Sequence, residues 1–158
     1  MTGDWLAGLE AMALARALRD SVWTYPLVNA GHILGVALLV GSIVPLDLRL
    51  LGAWRSVPLA PLWKVLTRSA AAGLALAIGC GSLLFIARAT EYAASGLFLA
   101  KMAVVGTGMA NALALRMIAP DGLRPAVEKP PRRVQVAGCV SLAAWLAALT
   151  LGRLVGYF

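Results

Sequence analysis

The single histidine, His32, sits in the apolar run Pro26 to Pro45, about six residues, or roughly 9 Å of helix, from its start. A titratable imidazole at that depth in a membrane is by default a functional-site hypothesis. Imidazole is the commonest metal ligand, and with a thioether it suits copper or a haem iron. Met102 supplies the thioether, and Glu91 a carboxylate for charge balance. His32, Met102 and Glu91 thus form a candidate metal set, and His32 with Met102 a candidate set for haem b. Arg88 and Lys101 belong to the same polar region. The competing reading gives His32 a hydrogen bond to a neighbouring helix and makes Met102 apolar filler. It leaves Arg88, Glu91 and Lys101 as interface charges reaching for water.

Asp47 and Arg49 close the same run in the string PLDLRLLG. Charges of opposite sign at a membrane boundary set helix register by pairing with neighbours, and a carboxyl there also suits ion coupling. Asn111 is a further polar residue within an apolar run, and Met109 follows Met102 at a helical spacing of seven. Cys80 and Cys139 are expected at different depths and unbridged. No catalytic triad, carboxylate pair, zinc-hydrolase motif or phosphate-cradling loop is present, and the chain reads as non-enzymatic.

These residues need elements to hold them, and the composition says which. Of 158 residues 61% are hydrophobic and mean hydropathy is +0.83, well above the roughly 45–50% apolar content of soluble domains. Spans of about 20 residues are predicted at about 26–45, 69–87, 97–118 and 134–151. They lack the alternation of barrel strands, so the expected fold is all-α: one membrane domain forming an antiparallel four-helix bundle. Small residues such as Gly31, Gly35, Gly79, Gly81, Gly106, Gly108, Gly152 and Gly156 are expected to let helices approach closely.

The first 24 residues are read as mature structure: a short interfacial helix with Trp5, Leu6, Leu9, Met12, Ala13 and Ala17 on one face, interrupted by Arg16. Trp23 and Tyr25 suit an aromatic belt. The stretch Leu51 to Lys64 is expected to be an interfacial loop, and APDGLRPAVEKPPRR a solvated one.

The net charge of +7 would suggest nucleic acid in a soluble chain, but here membrane topology accounts for it. Nine cations (Arg49, Arg55, Lys64, Arg68, Arg116, Arg124, Lys129, Arg132, Arg133) fall on one side of the four spans. Five (Arg16, Arg19, Arg88, Lys101, Arg153) fall on the other, which places both termini outside the cytoplasm. Expected partners are the lipid bilayer, a membrane or periplasmic protein, and further copies of the chain.

The run Trp23, Tyr25, Pro26, His32, Gly35, Gly41, Asp47, Leu48, Arg49, Leu51, Gly52, followed by Phe85, Glu91, Tyr92, Phe98, Lys101 and Asn111, covers nearly the whole chain. It resembles a widespread uncharacterised family of four-span bacterial inner-membrane proteins. More distantly, His32 with its glycine-rich helix, and Lys101 with Asn111, look like parts of the copper resistance protein D membrane domain. That resemblance implies a helical bundle associated with periplasmic copper uptake. Two-haem cytochromes b need paired histidines, and this chain has one.

Overall fold

The computed structural model describes residues 2–118 and 130–157. Every regular element among them is helical: α1 (Thr2–Glu10), α2 (Ala13–Asp20), α3 (Thr24–Leu50), α4 (Leu59–Ala87), α5 (Ala89–Ala94), α6 (Gly96–Ile118) and α7 (Arg132–Leu154). Helices α3, α4, α6 and α7, of 27, 29, 23 and 23 residues, are long and apolar enough to cross a bilayer. The chain is a multi-pass membrane protein built on an antiparallel four-helix bundle. Most of the expected solvated loop, residues 119–129, lies outside the described residues.

Glycines set the register. Gly35 meets Gly73 and Ala77, and Gly31 meets Cys80, so α3 and α4 pack antiparallel with their backbones close. On the other side Asn111 bonds to Ala137 and Gly108 receives the ring of Trp145, which pairs α6 with α7. Gly138 joins the halves by admitting Leu50 and the Asp47 carbonyl of α3 against α7. The side-by-side order is α4, α3, α7, α6, and the backbones of α4 and α6 stay apart.

Two apolar clusters fill the interior. Leu39, Ala70 and Trp145, flanked by Ile43, Leu74 and Val105, occupy the middle. Leu46, Leu50, Leu59, Leu115 and Val134 fill the end away from the termini. At the terminal end Phe85, Tyr92 and Phe98 bridge α4, α5 and α6, with ring centroids 5.1–6.4 Å apart.

The structure differs from the sequence reading in three places. Pro45 does not end the first span: α3 runs through it to Leu50. Proline removes one N–H from the ladder, but Leu46, Asp47 and Leu50 beyond it are buried in the bundle, and that packing carries the helix on. It stops at Gly52, whose φ of +107° is a conformation glycine adopts freely. The supposed loop up to Lys64 is shorter, because α4 begins at Leu59 directly after Pro58. Finally, the N-terminal helix is two helices with a break at Ala11–Met12. The break resets the helical phase, so α2 buries Ala15 and Leu18 while Ala13 and Ala17 stay exposed.

Candidate functional site

His32 is held over the turn of α4 that runs from Ala77 to Gly81. Its Nδ1 lies 2.8 Å from the Ala77 carbonyl oxygen, which can only accept, so Nδ1 carries the proton. Nε2 is left with the free lone pair. A Cβ on residue 81 would come within 3.1 Å of the imidazole Cε1, so glycine there makes room for the ring. Lys101 reaches over Gly152 of α7, with Nζ 3.5 Å from where a Cβ would stand.

The other predicted members of this set face elsewhere. Met102 is 40% exposed on the outside of α6, as is Met109 one heptad on. Glu91 lies on α5 at the bundle end, in an exposed ion pair with Arg88 at 3.3 Å. Among the described residues no three His, Cys, Asp or Glu side chains are placed to hold a metal ion together. Among the described residues the site at His32 therefore offers one imidazole nitrogen. Cys80 and Cys139 are unbridged.

A second polar region lies at the other end, between α3 and α7. Among the described residues the buried polar and charged side chains are Ser42, Asp47 and Arg49 on α3 and Ser141 on α7. Asp47 is 2% and Arg49 3% exposed, yet among the described residues neither forms an ion pair. The expected pairing with charges on neighbouring helices is not formed among the described residues. Arg49 turns to the α3–α4 connection instead, donating from Nε to the Val57 carbonyl at 3.0 Å and from Nη2 to that of Arg55 at 3.3 Å. The Asp47 carboxyl has the Ser141 hydroxyl for a neighbour. Asp47 Oδ2, Arg49 Nη1 and the indole nitrogen of Trp145 have no hydrogen-bond partner among the described residues. Asn111, the remaining polar candidate, donates from Nδ2 to the Ala137 carbonyl at 2.9 Å and ties α6 to α7.

Sequence reasoning passed over Ser42, Ser141 and Trp145. The signal available was a hydroxyl in the middle of each of two apolar runs. Nothing in the sequence says that these runs face each other.

A third polar region caps the terminal end. The Arg19 guanidinium donates to the carbonyls of Ala87 (2.9 Å) and Glu10 (2.7 Å), pinning α2 to the last turn of α4. Glu10 accepts from the backbone N–H and hydroxyl of Thr90 at 2.8 and 2.7 Å, and these bonds hold its carboxyl below the usual carboxylate range. Burial, with Tyr25 beside it, pushes the Tyr92 phenol up to about 12. The N-terminal helices therefore pack onto the bundle. Comparison with family models, with curated proteins and with solved structures finds no match to this chain.

Proposed function

We propose that the chain is a non-enzymatic membrane subunit that assembles laterally through α6. The observation behind this reading is the outward face of that helix. Gly96, Ala100, Ala103, Thr107, Ala110 and Ala114 recur at spacings of four and three and are all exposed. Thr107 turns its hydroxyl back onto the Ala103 carbonyl at 3.0 Å, so it presents a methyl group. Lipid gives helices little hydrophobic reason to associate, and small residues are what let two backbones approach. Gly106, beside the α6 stripe, has open space around it, as do Gly41 on α3 and Gly79 on α4, and of these only Gly106 adjoins so long a run of exposed small residues. A small-residue heptad stripe is self-complementary, so the occupant we assign is the α6 of a second copy. The cation asymmetry and the resemblance to bacterial inner-membrane proteins support that membrane as the location, with both termini outside the cytoplasm.

The test is the mass of the purified particle in detergent and in lipid nanodiscs, for the native chain and for Ala103→Leu and Gly106→Leu. The native chain should form a dimer or larger assembly that both substitutions return to monomer without lowering thermal stability. A monomeric native chain across the accessible concentration range would sink the proposal.

A second reading is favoured by the orientation of His32. An Nδ1–H fixed on a backbone carbonyl is how metal-binding histidines are commonly held, with Nε2 presented outward. Under this reading copper or haem b is bound through His32 on the extracytoplasmic side, and the remaining ligands come from a partner. The distant resemblance to the copper resistance protein D membrane domain supports it. An absorption spectrum and metal analysis beside His32→Ala decide the matter: a Soret band or stoichiometric copper lost in the variant supports the reading. Colourless, metal-free protein from cells supplied with both would overturn it.

A further inference from the structure

The interior and the surfaces offer several unassigned features, and the cap at the terminal end carries one furthest. There a cleft of about 260 Å³ is lined by Arg19 of α2, Tyr25 of α3 and Arg88 at the α4–α5 junction. The volume is below the roughly 300–1,000 Å³ of pockets that enclose a whole organic ligand, but it suffices for a small charged group.

The donors in this cleft are not used up. A guanidinium carries five N–H groups. Arg19 places Nη1 and Nη2 on the Ala87 and Glu10 carbonyls, and those two bonds fix the position of its fork. Arg88 spends Nη1 on Glu91, in a pair with both side chains more than half exposed. Among the described residues no carboxylate lines the cleft: Glu91 is held in its exposed pair with Arg88, and Glu10 is occupied by Thr90. Two guanidiniums with N–H groups to spare, one of them locked in place, are a geometry for the oxygens of a phosphate.

The position says which phosphate. The cleft lies where α3 begins and α4 ends, the depth of the bilayer surface. Trp5 and Trp23 are 58% and 76% exposed on the same end, as aromatic residues at headgroup level are. We infer that the Arg19–Tyr25–Arg88 cleft binds a phosphate group, that of an anionic phospholipid headgroup in the leaflet at the terminal end. The phosphodiester oxygens take the free N–H groups of the two arginines, and the acyl chains follow the apolar surface of α3 and α4. Basic pockets between helices at a membrane surface bind headgroups on the same principle. This inference does not depend on assembly through α6.

The test uses the full chain in detergent, with retention of phosphatidylglycerol or phosphatidylcholine read by native mass spectrometry and thermal stabilisation as a second readout. The variants are Arg88→Gln, Glu91→Gln and, as a control for overall charge, Arg153→Gln. Arg153 pairs with Tyr157 away from the cleft. The native chain should retain phosphatidylglycerol over phosphatidylcholine. Arg88→Gln should weaken that retention about tenfold, the usual effect of losing hydrogen bonds to a charged group. Glu91→Gln should strengthen it by releasing Arg88 from its ion pair, and Arg153→Gln should leave it unchanged. A residue with a merely structural role would give losses with both Arg88→Gln and Glu91→Gln. Stabilisation by inorganic phosphate alone, equal to that by lipid, would keep the phosphate site and assign it to a soluble phosphate compound. Equal retention of both lipids by the native chain, or unaltered retention by Arg88→Gln, would overturn the inference.

Discussion

Gly35 and Gly73 interlock across the α3–α4 interface: a Cβ on Gly35 would lie 2.8 Å from the Gly73 carbonyl oxygen, and one on Gly73 would lie 2.7 Å from that of Gly35. Both distances are to backbone, which has no rotamer to move. Gly35→Ala should therefore destabilise the bundle by about 1–3 kcal/mol, the range for overpacking a filled interior. Gly106→Ala, with nothing within 4 Å, should be neutral or stabilise by up to roughly 1 kcal/mol through helix propensity. Thermal unfolding in one detergent compares the two, and equal effects would show that the α3–α4 contact is looser than described.

The bond from His32 Nδ1 to Ala77 should be separable from any ligand role of Nε2. Asparagine can offer a side-chain amide N–H in place of Nδ1–H but no imidazole nitrogen. His32→Asn should then keep part of the stability, whereas His32→Ala loses about 1 kcal/mol, typical of a hydrogen bond between membrane helices. If copper or haem is bound, both variants should lose it.

Asp47 and Arg49 should respond oppositely to neutralisation. Arg49 holds two carbonyls of the α3–α4 connection, so Arg49→Ala should destabilise by about 2 kcal/mol and open residues 51–58 to limited proteolysis. Asp47→Asn keeps shape and hydrogen bonding while removing a formal charge that has no paired cation among the described residues, and should be neutral or stabilising. Cleavage maps and melting curves of the two variants check this.

Acid should loosen the N-terminal cap before the bundle. The Glu10 carboxyl is held below its ordinary value of 4.5 by its bonds to Thr90. Its contribution is therefore fully present above 4.5 and disappears as pH falls through the lower folded value. Protection of the amides of residues 2–20, corrected for the intrinsic exchange rate at each pH, should fall in that acid range, and Glu10→Gln should remove the pH dependence. Unchanged protection in the native chain would mean that the Thr90 bonds do not hold the cap.

Much of this molecule was legible because lipid imposes simple demands. Runs of about 20 apolar residues bounded by Arg68, Arg88, Arg133 and Arg153 have to become helices, since only helices and closed barrels satisfy the backbone in hydrocarbon and these runs lack the alternation of barrel strands. The spacing of Gly31 and Gly35 announced a close contact on α3, and the structure puts one there, against α4. Hydropathy was less informative at the ends. It placed a boundary at Pro45, where burial of Leu46 and Leu50 carries α3 onward.

The candidate sites depended on what no local pattern contains: which face of each helix meets which neighbour. By itself the sequence determined the four spans and their antiparallel order, because length, hydropathy and charge are properties of contiguous residues. Only the tertiary structure decided that His32 lies on the Ala77–Gly81 turn while Met102 faces outward. It alone brought Asp47 beside Ser141, and Arg19 to the Ala87 carbonyl next to Arg88. The physical reason is rotational: in an apolar environment hydrophobicity does not orient a helix about its axis, so glycine contacts and a few buried hydrogen bonds do.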